Sequence, residues 1–125
     1  MSDYLDLDYF MARNEFSGIN YREDAEAVKQ SMVDILLTKL GERENMPLYG
    51  SKIYTLLMEK ISDITAIMLK DEIKVALENW EPRIRLTNIE IEKHLDEQYY
   101  EVFIYFDLIR LSESNVLNLT LNRVS

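Results

Sequence analysis

The stretch Trp80-Glu81-Pro82-Arg83-Ile84 divides this sequence in two. Before it, apolar residues recur at helical spacing; after it, they alternate. Proline explains the break. It has no N–H to give to a helix, and its ring collides with the preceding turn. It also pushes the residue before it, Glu81, into an extended conformation. Glu81 and Arg83 then flank a stiff residue in extended backbone, where side chains two apart point the same way. A carboxylate and a guanidinium are thus expected together at a rigid corner. Taken alone, this is a helix stop with one surface ion pair, worth about 0–1 kcal/mol.

Outward toward the N-terminus, Leu69, Ile73, Ala76, Leu77 and Trp80 form one apolar seam, as on a helix packed against a core. Ser62 or Asp63 can cap this helix, which runs to about Asn79. Ser51 can cap a shorter helix at about 51–60 that buries Ile53, Leu56 and Leu57. Met58 and Met68 read as gap fillers. The run from Thr38 to Gly50, with Gly41, Pro47 and Gly50, is the main loop. It is not a phosphate loop, because no Gly-Lys-Ser/Thr run follows. A first helix at about 22–38 opens on Asn20 and Glu23 as a capping box and buries Ala25, Val28, Met32, Ile35 and Leu36. Its other face, with Glu26, Lys29, Gln30 and Asp34, reads as solvated, and Gly41 is placed to stop it. Residues 1–20 read as an irregular arm mixing Asp3, Asp6, Asp8 and Glu15 with Tyr4, Leu5, Leu7, Tyr9 and Phe10. The glycine and terminal glutamate of a calcium loop are missing.

Downstream of Pro82 the alternation predicts strands at about 87–93, 98–110 and 116–122. Ile84 and Leu86 are out of phase with Ile89, which predicts a bulge near Thr87-Asn88. Helices followed by strands give an α+β fold: three helices packed on a small three-stranded antiparallel sheet, with residues 21–125 as one domain behind the arm. Such a sheet has edges that recruit other strands unless blocked. The last strand, around Leu117, Leu119 and Leu121, carries little charge to protect it. Either the arm covers it or a partner adds a strand there.

Composition narrows the function. The 125 residues suffice for one core, with 47% hydrophobic and 30% charged residues. A net charge of −9 with scattered basic residues argues against nucleic-acid binding. No apolar run is long enough to span a bilayer. The acidic start lacks the basic, then apolar, pattern of a signal peptide. Without cysteine there is no disulfide frame and no thiolate zinc site. The expected compartment is the cytosol.

Catalytic signals are sparse. His94, the one histidine, falls in a predicted hairpin loop, so neither a Ser-His-Asp nor a metal site is expected on it. A glycosidase needs two carboxylates roughly 5–9.5 Å apart across a cleft. Glu42, Glu44 and Glu81 are candidates, but pairs arise by chance among 23 acidic residues, and the chain looks small for both a cleft and a core.

Ser31, Leu37-Thr38, Gly41-Glu42-Arg43, Pro47, Gly50 and Glu81-Pro82-Arg83-Ile84, in this order and spacing, resemble the gene-25-like, GPW family of baseplate wedge proteins and sheath initiators of contractile phage tails. The Asn122-Arg123-Val124 ending resembles that of T-even phage members. The resemblance covers about residues 25–124; the arm and Glu44-Asn45-Met46 depart from it. It implies a structural late protein of the virion, in the baseplate beside the tail tube, assembled in the host cytoplasm. It implies partners among the other wedge proteins and the tail sheath protein, and no nucleic acid, membrane, cofactor, metal or catalytic residue. The Glu81-Pro82-Arg83 corner would dock on the helical core bundle of the wedge, with Glu42 and Arg43 supporting it or bracing the loop. Strands at Leu117, Leu119 and Leu121 would pair with sheath arms, so the sheath starts in register. The expectation is therefore a chain that is not an enzyme. The alternatives are a lysozyme-like peptidoglycan hydrolase using Glu42 and Glu81, a type VI secretion baseplate subunit, or a peptide-binding adaptor.

Overall fold

The computed structural model describes residues 21–123, with side chains from Ala25 onward. The expected arm over 1–20 and the Asn20–Glu23 capping box fall outside the part so described. The elements run α1 (Tyr21–Leu37), α2 (Ile53–Leu57), α3 (Asp63–Trp80), β1 (Ile84–His94), β2 (Tyr99–Leu108) and β3 (Glu113–Asn122). The strands form one antiparallel sheet in the order β1-β2-β3. This is the α+β fold expected: three helices against a three-stranded antiparallel sheet.

Burial follows the two periodicities. Ala25, Val28, Met32, Ile35 and Leu36 of α1 are buried, as are Leu69, Ile73, Ala76 and Leu77 of α3. On the central strand Tyr100, Val102, Ile104, Phe106 and Leu108 all turn inward. Burying each such large side chain stabilises the fold by about 1.5–3 kcal/mol. Ser62 caps α3, accepting a hydrogen bond from Thr65 N–H at 3.1 Å. The register of β1 on β2 shifts between Leu86 and Asn88, where the phase change predicted a bulge.

Some local expectations fail. The helix α2 is shorter than 51–60, and its cap residue is Lys52 with no side-chain bond. Ser51 instead donates to Leu36 O at 2.7 Å and accepts from Ile53 N at 3.2 Å, tying α2 to the end of α1. Met58 and Met68 are exposed and fill no gap. Gly41 does not end α1. That helix stops at Leu37, and Thr38 closes its end: backbone N and side-chain hydroxyl both donate to Asp34 O, at 3.0 and 2.6 Å. The glycine with a steric task is Gly50, at φ +116: a Cβ there would lie 2.4 Å from Thr38 O. That contact lets Ser51 N bond the same carbonyl at 2.9 Å and closes the loop on itself.

Candidate functional site

At the end of α3 the last regular contact is Glu81 N to Leu77 O at 2.8 Å. Glu81 itself leaves helical space, at φ −127 and ψ 84, as the following proline demands. Pro82 and Arg83 then form a turn before β1, rather than the extended segment expected. The two charged side chains still meet. Arg83 donates from Nε to Glu81 Oε2 at 2.6 Å and from Nη2 to Oε1 at 2.9 Å. This is a two-pronged guanidinium–carboxylate fork, the strongest geometry such a pair can take. The Glu81 side chain is 0% exposed and that of Arg83 20%. The expected surface ion pair is thus a buried one. A lone buried carboxylate is costly, so the fork is a condition of this packing. Arg83 O accepts from Ile109 N at 3.0 Å, which ties the corner to the loop between β2 and β3.

The main loop braces the corner from the other side. Arg43 Nη2 lies 2.7 Å from Asp34 Oδ2, and the Tyr49 hydroxyl donates to the same oxygen at 2.7 Å. The Arg43 guanidinium sits over the Tyr49 ring at 4.4 Å. That ring meets Trp80 edge-on at 5.2 Å, one residue from Glu81. Asp34, read from the sequence as part of a solvated face, is the hinge of this network. Its spacing on α1 carried no hint of that, since its partners come from a loop nine and fifteen residues on. Glu42 stays apart from it: exposed, it accepts from Lys39 N at 2.9 Å and holds a turn. A shallow cleft of about 300 Å³ opens beside Pro82, lined by Leu77, Glu78, Ile84, Arg85 and the exposed Ile109.

The predicted edge is present, but its leucines face elsewhere. Leu117 and Leu121 are buried in the core and Leu119 is half-buried. What β3 offers outward is main chain. Arg123 N bonds Gln98 O at 2.9 Å, which fixes the phase of the ladder. By the alternation of an antiparallel pair, the N–H and C=O groups of Val116, Asn118, Thr120 and Asn122 point away from β2.

Known proteins place this fold. The family profile of baseplate wedge protein gp25 matches residues 22–110. Baseplate wedge protein gp25 of Enterobacteria phage T4 is 26% identical over 106 residues, 85% of this chain and 80% of its own length. Baseplate protein W of Escherichia phage P2 is 26% identical over 87 residues, 70% of this chain and 75% of its own. Among solved structures, a Geobacter sulfurreducens protein described as a candidate tail lysozyme superposes with a TM-score of 0.75 at 25% identity, over 86% of this chain and 96% of its own. A chain of the pyocin R2 baseplate in its postcontracted state gives 0.51 at 27% identity, over 78% and 83%. A chain of the type VI secretion baseplate complex gives 0.66 at 18% identity, over 83% and 97%, and shares the fold. The Geobacter likeness corrects the expectation that the chain is not an enzyme. A protein of nearly the same extent is described as a candidate lysozyme, so small size is no ground for excluding hydrolysis. The profile spans most of the described fold, from the start of α1 to the end of β2, and the chain belongs to the gp25 family of baseplate wedge proteins.

Proposed function

We propose that the Glu81-Pro82-Arg83 corner docks on the helical core bundle of a baseplate wedge, and that the β3 edge pairs with extended arms of the first sheath ring. In this reading residues 21–125 act as one wedge-like domain. The observation that carries it is the buried fork beside an open cleft. The fork fixes the direction in which the corner presents Pro82, and the cleft, with Ile109 on its rim, offers a partly apolar surface beside it. Glu81 acts from beneath, since it is buried, while Pro82 and Arg83 reach the surface. Arg43 supports them through Tyr49 and Trp80; Glu42 holds the loop turn. On β3 main-chain groups give affinity with few side-chain demands, and Leu117, Leu119 and Leu121 set the register by anchoring the strand to the core.

Ile109→Asp provides the test, because this exposed position can take a charge without disturbing the core. Wild-type chain used as bait should retain wedge proteins from a lysate containing all tail proteins, and Ile109→Asp should lose them. Equal retention by both would remove the corner as the docking site.

A second reading, a peptidoglycan hydrolase, is favoured by the Geobacter likeness alone. Glu81 holds Arg83 with both oxygens and its side chain is 0% exposed, so this geometry does not present it to a sugar. Clearing of a peptidoglycan suspension by the purified chain would support hydrolysis; an inert chain would remove it.

A further inference from the structure

At the far end of β1 from the corner, Glu92 and His94 stand two residues apart and so share the outer face of the sheet. Glu101 on β2 is the cross-strand partner of Glu92. Like charges set directly opposite each other destabilise a sheet, so this pair calls for a cation. His94 is the nearest candidate, yet it does not close the gap. Its Nε2 lies 3.8 Å from Oε1 of Glu92 and 3.8 Å from Oε1 of Glu101, beyond hydrogen-bond reach. That nitrogen is buried and has no hydrogen-bond partner.

The groups around it are held in place. The imidazole stacks on the Tyr99 ring, with centroids 4.4 Å apart and planes 5° from parallel. Asn118 on β3 donates to Glu101 Oε2 at 3.2 Å, which turns Oε1 toward the imidazole. Outer hydrogen bonds of this kind orient the ligands of metal sites. One donor atom from each of the three residues lies within 4.8 Å of the others. Zinc bonds imidazole nitrogen and carboxylate oxygen at about 2.0–2.2 Å, so two ligands on one tetrahedral ion stand roughly 3.3–3.6 Å apart. The 3.8 Å separations exceed that span by a few tenths of an ångström, which a small rotation of either glutamate side chain closes.

We propose that Glu92, His94 and Glu101 bind a divalent transition-metal ion, with zinc as the probe. Nε2 and one oxygen from each carboxylate supply three ligands, and the proton on the imidazole sits on Nδ1. One coordination position is left open toward the outer face of the sheet. An imidazole with two carboxylates selects such an ion over magnesium, which takes oxygen ligands only. The site is independent of the docking corner. It also reverses the sequence expectation for His94. The strand β1 extends through this residue, so the histidine lies on a rigid face rather than in a loop.

Isothermal titration calorimetry tests this, using the full chain stripped with a chelator and titrated with zinc chloride at neutral pH. The expected result is one zinc per chain. Affinity should fall about tenfold or more in His94→Ala and in the near-isosteric Glu101→Gln, and about tenfold in Asn118→Ala, which only orients a ligand. Glu97→Gln, a carboxylate outside the cluster, should bind as wild type. Absence of saturable binding by the wild type would overturn the site, and so would affinity unchanged in His94→Ala.

Discussion

Two carboxylate clusters sit at opposite ends of β1, and only one of them is completed by the chain. At the corner, Glu81 and Arg83 share two hydrogen bonds, and the carboxylate is fully buried. At the hairpin, His94 stands 3.8 Å from each of two glutamates and bonds neither. The corner is saturated from within, so its chemistry serves shape: the fork fixes how the chain leaves α3. The hairpin cluster is left short of a positive charge, so what completes it comes from outside. Glutamates therefore do opposite things at the two ends, and burial decides which. A buried carboxylate must find its partner within the fold. A half-exposed one can wait for an ion.

The largest effect should come from breaking the saturated cluster. Arg83→Ala strands the buried Glu81 carboxylate, and removing one partner of such a pair costs about 3–5 kcal/mol. Urea denaturation should show that loss. Replacing both residues by methionine should recover most of it, because a packed apolar pair needs no charge compensation. A cost for Arg83→Ala under about 1 kcal/mol, the range of a surface pair, would erase the contrast between the two ends of β1.

A smaller loss is expected one step out. Tyr49→Phe keeps the ring against Trp80 and removes only the hydroxyl that donates to Asp34. Asp34 is partly exposed and keeps Arg43, so the cost should be about 1 kcal/mol, that of an ordinary hydrogen bond. The same denaturation measurement checks it. An unchanged midpoint would mean that the loop rests against the corner without bracing it.

These two substitutions also mark what could be read in the sequence. Pro82 carries its consequence with it: a helix must stop there and Glu81 must extend, whatever surrounds them. The bulge after Leu86 was legible for the same reason, since a phase slip among Ile84, Leu86 and Ile89 is a local fact. The burial of Glu81 is not local. It follows from tertiary packing, in which the loop after β2 comes back to the corner through the bond from Ile109 N to Arg83 O. Asp34 was misread on similar grounds, because its period on α1 says solvent while the loop that covers it closes through Gly50. His94 shows the third case. Glu92-x-His94 is a visible alternation, but its pairing with Glu101 follows from the hairpin register, and the register depends on where the loop begins.

The smallest effect should have the opposite sign. Glu101→Gln in the presence of a chelator removes one of two like charges facing each other across β1 and β2. Such pairs cost a sheet roughly 0.2–1 kcal/mol, so the metal-free variant should be slightly more stable than wild type. The amide can still accept from Asn118, which leaves the strand contact in place. Tyr99 supplies an independent readout. Glu101 is one of the charges holding its hydroxyl above the ordinary value of 10.0, so absorbance titration should show that tyrosine ionising at lower pH in the variant. Adding zinc should reverse the ranking, because wild type gains binding energy in its folded state and the variant, missing a ligand, gains much less. A substitution that stabilises the chelated chain and forfeits the metal's contribution has no counterpart at the corner, where every loss of a partner is a loss of stability. If Glu101→Gln instead destabilised the chelated chain, the two glutamates would already be compensated within the fold, and the two ends of β1 would be alike.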